Sequence, residues 1–112
     1  MFARLITMQL KPQVAHEFPF LAESIQKEIR PLMREQKGFI EQLVLVAPDQ
    51  SEAVYICLWE EKKHAEKFNR DVYPGIVKLL NKYLAGVPVV KEFESPIVAV
   101  PVLRKLAKAA NV

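Results

Sequence analysis

From Ala53 to Tyr73 the chain reads AVYICLWEEKKHAEKFNRDVY, and the change of period inside that stretch decides the fold. Ala53 to Trp59 has the branched and aromatic composition of a strand. From Glu60 to Asn69 the spacing of Glu61, Ala65 and Phe68 is helical, with those three residues expected to face inward among charged neighbours. A strand ending on the chain's single tryptophan thus turns directly into a helix. A large amphipathic ring there, followed by His64, Phe68, Asn69 and Tyr73, suits the wall of a cavity between a sheet and its covering helix. The same residues suit core packing beneath a solvated helix face equally well.

Working outward, Glu52–Trp59 pairs naturally with Phe39–Val46, and the Ala47-Pro48-Asp49-Gln50-Ser51 segment between them has the composition of a tight hairpin connection. Phe2–Leu10 alternates as a further strand. Phe18, Leu21, Ile25, Ile29 and Leu32 recur at spacings of three and four, with Glu23, Lys27, Arg30 and Arg34 opposite, which predicts an amphipathic helix. Pro31 inside it lacks the N–H that would bond to Lys27, so a kink is expected, and Gly38 is a natural stop. Pro74 resets the second helical region for Ile76, Leu79, Leu80, Tyr83 and Leu84, which ends at Gly86 and Pro88. Val89–Val100 reads as a last strand interrupted by Pro96, and Leu103, Leu106 and Ala110 give the tail, residues 101–112, the spacing of a short helix.

The resulting order is βαββαβ, an α+β chain whose right-handed crossovers give a ferredoxin-like, four-stranded antiparallel sheet with helices on one face. Both parities of the central hairpin are apolar: Leu43 and Leu45 against Val44 and Val46, then Ala53, Tyr55 and Cys57 against Val54, Ile56 and Leu58. Helices cover only one side of such a sheet, so the other is expected to pack on a second copy as a homodimer.

With 112 residues, 51% of them hydrophobic, the chain is long enough for one domain with its own core, expected over residues 1–100. The net charge of +3 is spread along the length, which argues against a nucleic-acid arm or a basic membrane patch. No segment has membrane-spanning length, and the N-terminal strand, with Arg4 inside it, lacks the features of a signal peptide. The single Cys57 excludes an intramolecular disulfide and fits a reducing cytoplasm. It reads as a small buried hydrophobe.

A βαββαβ chain of this length, with an expected sheet-to-sheet dimer and a tryptophan closing the third strand before WEEKKHAEKFN, resembles the antibiotic biosynthesis monooxygenase-like domains of the dimeric α/β barrel superfamily. The resemblance implies a cavity in each subunit, bounded partly by Trp59, and cofactor-independent oxygenation of a small, partly aromatic molecule. It departs from the pattern at Asn69, where such domains often carry histidine. Haem-degrading relatives need that histidine and a first-strand asparagine, whereas apolar residues surround Leu5 and Ile6 here, so no haem is expected. By analogy Trp59, Asn69, Phe68 and Tyr55 would bind substrate, with Tyr73 and His64 as catalytic candidates.

Each candidate has a structural reading beside the functional one. Trp59 suits a core, Asn69 a helix end, Tyr73 packing across the helix break, and His64 a half-exposed surface; Arg4 suits an ion pair with Glu92 or Glu94. His16, His64 and Cys57 give no metal-ligand spacing, and glycine-rich phosphate loops are missing, so neither metal nor nucleotide cofactor is expected. The alternative function is a non-catalytic dimeric small-molecule-binding domain. RNA recognition, which uses the same element order, lacks its glycine-spaced aromatics in AVYICLW.

Overall fold

The strand patterning carries through to the sheet of the computed structural model, which describes residues 1–95. β1 (Phe2–Gln9) is followed by α1 (Phe18–Glu35), the hairpin β2 (Phe39–Val46) and β3 (Glu52–Trp59), then α2 (Lys62–Asp71), α3 (Tyr73–Leu80) and β4 (Val89–Glu94), with 3-10 turns at Ala15–Glu17 and Asn81–Tyr83. The sheet order is β2-β3-β1-β4 and every pair is antiparallel. This is the ferredoxin-like α+β arrangement expected. Residues 96–100 of the expected last strand and the expected tail helix lie outside the described residues.

Register explains the layering. Phe2, Arg4, Ile6 and Met8 sit opposite Trp59, Cys57, Tyr55 and Ala53, and the last three of these oppose Gln42, Val44 and Val46 on β2. Side chains of one parity share a face, so these residues form the inner face beneath the helices. Arg4 also opposes Glu92 on β4 and reaches it at 3.7 Å, the expected ion pair. Leu43, Leu45, Val54, Ile56, Leu58, Ala3, Leu5, Val89 and Phe93 fall on the outer face. Leu43, Val89 and Phe93 are each more than half exposed there.

The core divides in two. Ile6, Met8, Leu10, Phe18, Tyr83 and Leu84 form one cluster, and Phe2, Met33, Cys57, Trp59, Ala65 and Phe68 the other. Fully buried apolar side chains such as Phe18 and Met33 contribute about 1.5–3 kcal/mol apiece. Tyr55 and Tyr73 pack against both clusters and bridge them.

Several expectations are corrected. Leu32 is exposed and Met33 buried instead, because the stripe Phe18, Ala22, Ile25, Ile29 drifts onto position 33 rather than 32. Leu79 is likewise exposed, since Ile76, Val77 and Leu80 carry the inner face of α3. Glu61 points outward: α2 starts only at Lys62, leaving Glu61 extended at the helix entrance, where it pairs with Lys63 at 3.2 Å. The hairpin loop is closed by Asp49, whose carboxylate accepts bonds from the Ser51 backbone N–H and hydroxyl, so that Gln50 can adopt φ 61°. α1 continues through Pro31 to Glu35.

Candidate functional site

Two helix stripes of identical spacing frame a gap in the helical layer. α1 contributes Ala22, Ile25, Gln26 and Ile29, and α3 contributes Tyr73, Ile76, Val77 and Leu80. Each set follows i, i+3, i+4, i+7, one face of a helix. Between them and the sheet residues Ile6, Met8, Gln42, Val44 and Tyr55 lies a cavity of about 60 Å³, closed at one end by Leu84 and Pro88. That volume holds on the order of four waters. The cavity therefore occupies the space between the two core clusters, with Tyr55 and Tyr73 in its wall.

The cavity is apolar except at one corner. Among the described residues Gln42, 4% exposed, is the one buried amide or charged residue. The Tyr55 hydroxyl donates to its Oε1, and its Nε2 donates to Gln26 Oε1 at 2.7 Å, so strand β3, strand β2 and helix α1 are tied by one polar chain. A buried amide without partners would cost about 1–3 kcal/mol, which the chain removes. With those bonds made, the Gln26 amide and the second Gln42 N–H remain as donors toward a ligand oxygen. Tyr73 stands opposite, its ring beneath the Arg4 guanidinium at 5.2 Å.

Burial controls the protonation of this wall. Desolvation pushes the Tyr55 phenol well above its usual range, with the nearby Cys57 adding to the rise. Tyr73 is also raised by burial, and Arg4 opposes that in part. Both are neutral donors at neutral pH. Cys57 is pushed up to about 12 by burial, so its thiol is not a nucleophile there.

The structure separates the residues singled out by sequence. Tyr55 and Tyr73 come together at the cavity. Trp59 and Phe68 meet at 5.5 Å between ring centroids, their planes tilted by 42°, in the second core cluster, with Phe39 edge-on to the tryptophan, and neither is among the lining residues. Asn69 sits partly buried on α2, its Oδ1 buried without a partner. His64 departs from the half-exposed position expected: its side chain is only 9% exposed, and neither ring nitrogen has a hydrogen-bond partner. The ring lies against Gly38, where a Cβ would fall 2.0 Å from Nδ1; this, with φ +80°, is why glycine ends the α1–β2 connection. Gln42 and Gln26 were not singled out. Their signal was a polar residue sharing a parity with Val44 and Val46, and another on the apolar stripe of α1.

Outside the cavity, a groove of about 600 Å³ runs between α1 and the edge strand β2. Among the described residues no cluster of three or more metal-ligating side chains stands together, and no helix is long and apolar enough to cross a membrane.

No family model matches the sequence, and no curated protein aligns with it. Solved structures do match. A Nitrosomonas europaea protein of unknown function superposes with TM-score 0.70 at 12% identity, covering 87% of this chain and 90% of that one. A second protein of that organism, named for the antibiotic biosynthesis monooxygenases, gives TM-score 0.69 at 13% identity over 87% of this chain and all of its own. A monooxygenase of Streptomyces coelicolor, solved in complex with nanaomycin D, gives 0.68 at 20% identity over 87% and 90%. At such identities the likeness is one of fold.

Proposed function

We propose that this chain, whose fold is that of the antibiotic biosynthesis monooxygenases, binds a small, partly aromatic molecule in the α1–α3 cavity and oxygenates it without a cofactor. The observation that carries the reading is the Gln26–Gln42–Tyr55 chain, set into an otherwise apolar wall. An aromatic ring would lie between the two helix stripes, and its phenolic oxygen would meet the amide donors, which favour the anion that reacts with oxygen. Tyr73, a neutral donor held by Arg4, would face the same ring. The reaction class balances without an outside reductant: a phenol ring C–H becomes a carbonyl, one atom of O₂ enters the product and the other leaves as water.

A second reading, a binding domain without turnover, is favoured by one observation. Among the described lining residues the only ionisable groups are tyrosines raised above their usual range, so a bound phenol must lose its proton to water. The assembly belonging to either reading is a homodimer packed through the outer sheet face, with Leu43, Leu45 and Phe93 in the contact, working in a reducing, cytoplasmic setting.

Oxygen uptake by 1,3-dihydroxynaphthalene, read beside the formation of 2-hydroxy-1,4-naphthoquinone in metal-chelated buffer, tests the proposal. Uptake above the protein-free rate, lost in Gln42→Leu and reduced in Tyr55→Phe, is the expected result. Binding without any added uptake selects the non-catalytic domain, and no binding at all removes both readings.

A further inference from the structure

We infer that the ligand carries an anionic arm beside its ring, held in the α1–β2 groove by Arg30 and Arg34; the inference rests on the cavity reading above. The groove and the cavity share Ala22, Gln26, Gln42 and Val44, so the wall between them is one side chain thick. The hydrogen bond from Gln42 to Gln26 lies in that wall and joins β2 to α1. The space of about 600 Å³ next to the cavity leaves room for a polar arm of a ligand whose ring lies between the helix stripes.

The chemistry of the groove is not that of the cavity. Its charged lining is Glu23, Lys27, Arg30 and Arg34. Glu23 is paired with Lys27 at 3.5 Å, which leaves the two arginines as the unneutralised charge. They stand one helical turn apart, an arrangement that weakens a helix unless something anionic lies between them. The planar guanidinium fork suits a carboxylate, and Val44 and Val46 give the arm an apolar floor. The polar wall fixes the order of groups on the ligand: ring inside, oxygen at Gln26 and Gln42, carboxylate immediately outside. An ortho-hydroxy aromatic carboxylate has that order.

Calorimetric titration with 3-hydroxy-2-naphthoate and with its neutral amide tests this. The wild-type protein is expected to bind the carboxylate about five-fold or more tightly than the amide in low salt, a preference that shrinks as salt is raised. Arg30→Gln with Arg34→Gln is expected to abolish the preference and leave amide affinity unchanged, while Ile76→Trp, which fills the cavity, weakens both probes. Equal binding of the two probes by the wild type, or a preference that survives the double substitution, overturns the anionic arm and leaves the cavity reading intact. A carboxylate preference that depends on the arginines but ignores Ile76→Trp keeps the groove site and overturns the cavity reading. Absence of binding by either probe overturns both.

Discussion

Gly38→Ala probes the contact that takes His64 out of consideration as a surface group. An alanine there must adopt φ +80°, a left-handed conformation that costs a non-glycine residue about 1–2 kcal/mol. Its Cβ would also stand 2.0 Å from His64 Nδ1 and 2.3 Å from Cγ, where ordinary contact begins near 3.4 Å, so the ring must leave its site. Forcing an extra methyl into this packed site costs about 1 kcal/mol, the low end of overpacking because the ring can move aside. The total is about 2–3 kcal/mol, or roughly a 10–20 °C fall in melting temperature for a domain of this size. In a His64→Ala background the steric part vanishes, and the same substitution should cost only the backbone share, about 1–2 kcal/mol. Urea unfolding of the wild type, both single variants and the double variant gives the coupling directly. If Gly38→Ala costs the same with and without His64, the close approach of ring and backbone does not constrain this connection.

Two further outcomes follow from burial and from the outer face. The Cys57 thiol is raised from 9.0 to about 12, so its contribution to stability is complete below pH 9 and is lost as pH climbs toward 12; wild-type stability should fall by about 1.4 kcal/mol per unit more steeply than that of Cys57→Ala across that window, and equal slopes in urea titrations would remove the thiol from the account. Light scattering at micromolar concentration should give a dimer, converted to monomer or aggregate by Leu43→Glu with Leu45→Lys; a soluble wild-type monomer at about 100 μM would contradict the sheet-to-sheet assembly.

Sequence reading succeeded where period alone decides the answer. Alternation in Phe39–Val46 and Glu52–Trp59 carries the hairpin, and the three-and-four spacing from Phe18 to Ile29 carries α1. It missed where two environments draw on one residue type. A tryptophan at a strand end satisfies a core and a cavity wall alike, and only the position of the helices shows that Trp59 serves the core while Tyr55, four residues earlier and on the same face, meets open space. The gap itself arises because α1 and α3 stand apart, a matter of tertiary spacing that no local pattern encodes. Gln42 was legible in principle, as a polar residue in an apolar parity, but its meaning depends on Gln26 and Tyr55 arriving from two other elements.

α3 supplies half of the helical lining yet has no buried residue. Its inward positions are only partly buried, with Tyr73, Ile76 and Leu80 resting against the edges of the core clusters, so a change there disturbs folding less than one at a fully buried side chain of β1 or β3. Substitutions along this single short helix would reshape the cavity at a lower cost in stability than substitutions in the sheet. Val77, which lines the cavity without packing against either core cluster, is the position where cavity shape and folding are most nearly independent.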